Sequence, residues 1–163
     1  YTTALPISKN PVTISVAPGT YIESIKLCGG RYISIIGTNK TTCILQDNTG
    51  NYYTPPLEIA GNSSIKNMTV IATHDDGIIC DMPSYAIHHD FAGKGNSLIS
   101  NCKLISYQHF AVGVGLRNNQ TLTIEKCELY STAKYGLYVH NRMKNDAENQ
   151  KLIVKDSVIK RSE

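Results

Sequence analysis

Four side chains carry most of the chain's chemical potential: His88, His89, Asp90 and His140. Imidazole changes charge near neutral pH, so it serves as acid, base or ligand. The segment around the first three, Tyr85-Ala-Ile-His-His-Asp90, aligns with Phe110-Ala-Val-Gly-Val-Gly115 and Tyr135-Gly-Leu-Tyr-Val-His140 at steps of 25 residues. In an extended strand successive side chains point to opposite faces. If Ile87, Val112 and Leu137 point inward, so do His89, Val114 and Val139. The outward sets are then His88/Gly113/Tyr138 and Asp90/Gly115/His140. This alignment predicts two imidazoles, a carboxylate and a phenol around a floor of two glycines, with room for a sugar ring. Four uses remain open on sequence alone: solvated outward side chains with His89 hydrogen-bonded inside, glycan contact, catalysis, or a metal site. His88, Asp90, Gly113, Gly115, Tyr138 and His140 are the expected ligand-binding residues. No metal ion and no catalytic residue is assigned among them.

Two further groups are weaker signals. His74-Asp75-Asp76-Gly77, with Asp81 nearby, places carboxylates beside a glycine turn, where calcium could bind through oxygen. The spacing is not that of an EF-hand loop, and a polar loop accounts for it. No cofactor is expected, with calcium as the exception to test. Lys94, Arg117, Arg142 and Lys144 follow the aligned segments and could hold an acidic sugar or sulfate. Solvated loop charges account for them equally. There is no Gly-x-Ser-x-Gly elbow, P-loop or dinucleotide fingerprint.

The elements that must position these residues are short and repetitive. Ile65-Lys-Asn-Met-Thr-Val70, Ile99-Ser-Asn-Cys-Lys-Leu104, Ile124-Glu-Lys-Cys-Glu-Leu129 and Val154-Lys-Asp-Ser-Val-Ile159 share one pattern. Their spacing is irregular but lies in the range of solenoid repeats. Thr13–Val16, Tyr21–Leu27, Ile33–Ile36 and Cys43–Gln46 continue the habit toward the start of the chain. Gly, Asn and Pro mark nearly every junction. No stretch has a helical stripe; Arg142–Gln150 is polar throughout and reads as a loop.

Short strands recurring about once per 25–35 residues predict an all-β fold, a right-handed single-stranded parallel β-helix of about six coils. Coils stack about 4.8 Å apart and bury a shared core that no single coil could form. Ile65, Ile99, Ile124 and Val154 should form one inward ladder, and Val70, Leu104, Leu129 and Ile159 another. Asn67, Asn101, Lys126 and Asp156 should occupy left-handed bends, which Asn and Asp tolerate best. Met68, Cys102, Cys127 and Ser157 should follow as an interior column. Cys102 and Cys127 would lie one coil apart, within reach of a disulfide, with two free thiols the preferred state.

Composition bounds the rest. The 163 residues are 41% hydrophobic and 18% charged, enough for a core and too apolar for long disorder. The charge of +3 is mild and dispersed, which gives no support for nucleic acid. No apolar run is long enough to span a bilayer. Five cysteines at 28, 43, 80, 102 and 127 have no zinc spacing. Four Asn-x-Ser/Thr sequons, at Asn39, Asn62, Asn67 and Asn119, are what this much Asn and Thr produces by chance. The 10 Tyr, 2 Phe and no Trp suit strands and polar binding faces. A chain beginning at Tyr1 is expected to be one β-helix domain, 1–163, excised from a longer protein.

Pro18-Gly-Thr-Tyr-Ile-Glu23, between the strands Val12–Val16 and Ile33–Gly37, resembles the opening of the pectin methylesterase and pectate lyase-like superfamily. The resemblance covers about residues 11–46 and implies a parallel β-helix. Tyr85–Asp90, Ser97–Cys102 and Ala111–Leu116 more loosely resemble β-helix proteins of gut bacteria and their phages, tail components included. Pectin methylesterases carry Gly-x-x-Asp-Phe-x-Phe-Gly with its nucleophilic Asp, a preceding Gln/Asp segment and a later Arg-Pro-Trp. None of these is present, and the only Phe residues are Phe91 and Phe110. The resemblance therefore implies the fold and assigns no esterase residue.

These observations lead to glycan or host-surface recognition by a β-helical phage tail, tailspike or bacterial surface protein, in an extracellular or virion setting. The alternatives are a polysaccharide lyase, esterase or hydrolase with an incomplete site, and a structural spacer. The expected partner is a polysaccharide or cell-surface glycan. Solenoid ends need covering, so a homotrimer or larger assembly is also expected.

Overall fold

The computed structural model describes residues 11–27, 32–47, 54–73, 85–90, 95–107, 109–140 and 148–161. The acidic loop around Asp75 and Asp76, Cys28, Cys80, Lys94, Arg142 and Lys144 lie outside these residues, as does most of the predicted loop Arg142–Gln150.

The described strands form three all-parallel sheets, and each coil contributes one strand to each sheet it completes. The first sheet runs through Val12–Val16, Ile33–Gly37, Ser63–Lys66, Gly95–Ser100, Gln120–Glu125 and Lys151–Lys155. The second runs through Gly19–Ile22, Cys43–Gln46, Thr69–Ala72, Lys103–Ser106, Glu128–Ser131 and Val158–Arg161. The third holds Ile25–Leu27, Leu57–Ile59, Tyr85–His89, Phe110–Val114 and Leu137–Val139. The result is a parallel β-helix of six coils. No helix among the described residues is long and apolar enough to cross a membrane.

The bend between the first and second sheets follows the predicted chemistry. Asn67, Asn101, Lys126 and Asp156 all take positive φ, between 50° and 55°. Each bend sends the next side chain inward: Met68, Cys102 and Cys127 are buried, and Ser157 is half-buried. Asn67 and Asn101 also pair across the coils, with Asn101 Nδ2 donating to Asn67 Oδ1 at 2.9 Å. A second bend column, Asn119 and Asn149, escaped the sequence comparison. It repeats the device, with Asn149 Nδ2 donating to Asn119 Oδ1 at 3.1 Å.

The core ladders are in the predicted register. Ile99 pairs with Ile65 and Ile124, and Leu104 with Val70 and Leu129, and all six are fully buried. The last members differ from expectation. Val154 is 38% and Ile159 48% exposed, because within the described residues no further coil stacks on theirs. Val12 and Ile14 are exposed at the opposite end for the same reason. Cys43, Cys102 and Cys127 are buried free thiols, the preferred state for the last two.

Candidate functional site

The third sheet makes the site because its strands break strict alternation. Ala86 and Ile87 both belong to the buried core, as do Ala111 and Val112. A side chain as small as Ala can turn inward beside its neighbour without crowding it. Tyr85 and His88, three residues apart, then project on one face, and their rings stack at 4.6 Å and 9°. Phe110 pairs with Tyr85 in the next coil, and their rings lie 5.9 Å apart. Tyr138 covers Phe110 from the coil beyond, at 4.5 Å and 16°. Tyr135 extends the stack at 6.3 Å from Phe110, and the Arg161 guanidinium lies 5.7 Å from its centroid. The predicted outward set His88/Gly113/Tyr138 is in register.

Beside these rings sits a polar cluster. Pairing continues past the strand ends: the Gly115 N–H donates to the His89 carbonyl at 2.6 Å, and the His140 N–H to the Val114 carbonyl at 2.8 Å. This aligns Asp90, Gly115 and His140 across three coils. His88 Nε2 and His140 Nε2 lie 3.4 Å apart. Asp90 Oδ2 is 4.0 Å from His88 Nε2 and 4.0 Å from His140 Nδ1. Asp90 Oδ1 faces an Arg117 guanidinium nitrogen at 3.7 Å. The Asp90 side chain is only 6% exposed, so these groups surround it in place of bulk water. Gln120, fully buried, holds the Arg117 loop: the Arg117 N–H donates to its Oε1 at 2.8 Å.

All six predicted residues therefore meet, but not around an open floor. A Cβ on Gly113 would run into the Tyr85 ring. A Cβ on Gly115 would lie 2.6 Å from His140 Cε1 and 2.8 Å from Asp90. The space above each glycine is filled by the protein's own side chains, and both glycines are buried beneath them. Their role is to let residues from coils on either side converge. The sequence comparison missed Tyr85 and Phe110, whose small-apolar sequels Ala86-Ile87 and Ala111-Val112 were the available signal. It named Arg117 but did not join it to Asp90.

His89 is interior, as alternation predicts. Its Nε2 lies 3.2 Å from Ser97 Oγ, which itself donates to the Gly61 carbonyl at 2.6 Å. Ser97 can then only accept, so Nε2 carries the proton and Nδ1 is the bare nitrogen. Nδ1 has no hydrogen-bond partner among the described residues. Burial penalises the charged ring and pushes its pKa down to about 4.

No family model and no curated protein sequence matches the chain. Solved structures do. Pectin methylesterase PemA from Erwinia chrysanthemi superposes with a TM-score of 0.61 at 17% identity, over 79% of this chain and 43% of that one. Pectin methylesterase from Yersinia enterocolitica gives 0.58 at 16%, over 89% and 54%. A pectin methylesterase in complex with a hexasaccharide gives 0.62 at 14%, over 93% and 59%. The chain thus spans about half the length of these structures. What they share with it at such identities is the backbone: this chain has the right-handed parallel β-helix fold of the pectin methylesterases.

Proposed function

We propose that the chain recognises a polysaccharide on the outward face of its third sheet. The observation that carries this is the ring stack Tyr85–Phe110–Tyr138 beside the cluster of Asp90, His88, His140 and Arg117. Sugar rings present an apolar face and a rim of hydroxyls. Tyr135 and Tyr138, 59% and 39% exposed, offer aromatic surface with phenol hydroxyls. The imidazoles and Arg117 offer donors, and Asp90 an acceptor. Such a mixture of apolar surface and few convergent polar groups suits a carbohydrate. One structure of the same fold is a complex with a hexasaccharide, which adds support at the level of ligand class.

Arg117 favours an acidic glycan over a neutral one. A polysaccharide of this kind is met outside cells, so the proposal places the protein on a cell or virion surface, as a recognition module of a bacterial surface or phage tail protein. Incubation with polygalacturonate, pectin and neutral glucans, read by affinity electrophoresis and by assays for reducing ends, unsaturated ends and methanol, tests the proposal. Retardation by an acidic polysaccharide without product is the expected result. Product formation would make the chain an enzyme instead. No retardation by any of them would leave the spacer role.

A further inference from the structure

We infer that His88, Asp90 and His140 form a binding site for a divalent first-row transition ion, of which zinc is the representative. The sequence left a metal as one of four open uses of these residues; His140 lies 50 positions or more beyond His88 and Asp90, on a coil two rungs away. The fold removes that distance. One ligand atom from each residue lies within 4.8 Å of the others. The imidazole nitrogens His88 Nε2 and His140 Nε2 are 3.4 Å apart. Two nitrogens that share a tetrahedral ion at about 2.0–2.1 Å are themselves about 3.3 Å apart. The imidazoles are thus already spaced for one ion; Asp90 Oδ2, 4.0 Å from His88 Nε2, has to close in by roughly 1 Å.

Three independent features hold the set in place. Each imidazole rests against a tyrosine ring, His88 on Tyr85 at 4.6 Å and His140 on Tyr138 at 5.5 Å. Arg117 faces Asp90 Oδ1, which leaves Oδ2 turned toward the imidazoles; metal-binding carboxylates are commonly oriented this way by an outer partner. Glycine at 115 lets His140 and Asp90 meet, since a Cβ there would lie 2.6–2.8 Å from both. Two imidazoles and one carboxylate select a borderline ion such as zinc, iron(II) or nickel over calcium, which prefers oxygen. Three protein ligands leave positions open to water or a sugar hydroxyl. An ion held this way would also tie together two coils across the one between them.

The inference does not rest on the carbohydrate proposal, because its test contains no carbohydrate. The chelator-stripped chain is titrated with zinc chloride at about pH 7.5, where imidazole is mostly neutral, with calcium chloride as the comparison. Calorimetry should show one zinc per chain and no calcium. The histidine ring signals of His88 and His140 should shift with zinc, while that of His109 stays. Asp90→Asn and His140→Ala should each weaken zinc about tenfold or more. Melting in chelator establishes that each variant is folded, and Asp90→Asn keeps the side chain's shape should His140→Ala fail to fold. Absence of saturable zinc binding below about 1 mM, or unchanged affinity in folded Asp90→Asn, would overturn the inference.

Discussion

His88 and His140 are 52 residues apart in sequence, yet their Nε2 atoms lie 3.4 Å apart. The residue between them in the stack is the reason. The intervening coil carries Gly113, over which the Tyr85 ring lies, and Gly115, over which His140 and Asp90 meet, so neither position pushes the neighbouring coils' side chains apart. The relationship makes the glycines structural necessities of the site, which bears on how each can be tested.

Gly115→Ala should open the cluster without unfolding the chain. Its Cβ would meet His140 and Asp90 at 2.6–2.8 Å, and half-buried His140 can swing toward solvent. The cost to stability should be about 1–3 kcal/mol, as for other overpacked sites. The His88–His140 ring contact should disappear from nuclear Overhauser spectra while the far-ultraviolet circular dichroism is kept. An intact contact would mean that the glycine is not what admits the two rings.

Tyr138→Ala and Asp90→Asn should each weaken polysaccharide binding by about 1–3 kcal/mol, through loss of a ring contact and of a charged acceptor. Neither side chain is part of the apolar core. Tyr138→Ala should lower zinc affinity less than Asp90→Asn does, because the tyrosine orients His140 without offering a ligand atom. A polysaccharide that binds the double variant with full affinity uses another surface.

His89 should make the fold acid-sensitive. Its pKa is about 4 in the fold and near 6.5 when unfolded, so at intermediate pH the unfolded chain binds the extra proton. The stability it contributes is therefore complete above about pH 6.5 and is lost as pH falls toward 4. The total is roughly 3 kcal/mol for a shift of this size. Urea melts of wild type and His89→Gln, both in chelator, should diverge in pH dependence across that window. Parallel curves would show that His89 is not buried as a neutral ring.

Leu104 and Ile159 occupy equivalent columns but should respond differently to truncation. Leu104 is fully buried between Val70 and Leu129, and Leu104→Ala should cost about 2–5 kcal/mol. Ile159 is 48% exposed, and Ile159→Ala in this chain should cost less than about 1.5 kcal/mol. Equal losses in urea denaturation would show that the last coil is covered in solution, by a second copy for instance, which sedimentation would then reveal.

The fold was legible because a β-helix writes its rules locally and repeats them. The tolerance of Asn and Asp for left-handed bends, with an inward residue following each, places Asn67, Asn101 and Asp156 in one column, and the same alignment carried Lys126 into it against its own preference. From that column followed the register of Ile65, Ile99 and Ile124. The six residues proposed for the site also came from alignment, since stacking turns equal offsets into contacts. What sequence could not supply was the shape of the space above Gly113 and Gly115. Alternation alone left it empty. The inward turn of Ala86 and Ala111, which freed Tyr85 and Phe110 for the outer face, depends on how two small side chains share a corner with Ile87 and Val112. That is decided by packing between coils, so only the tertiary structure could fill the floor with Tyr85, His140 and Asp90 and bring two imidazoles to within the spacing of one ion.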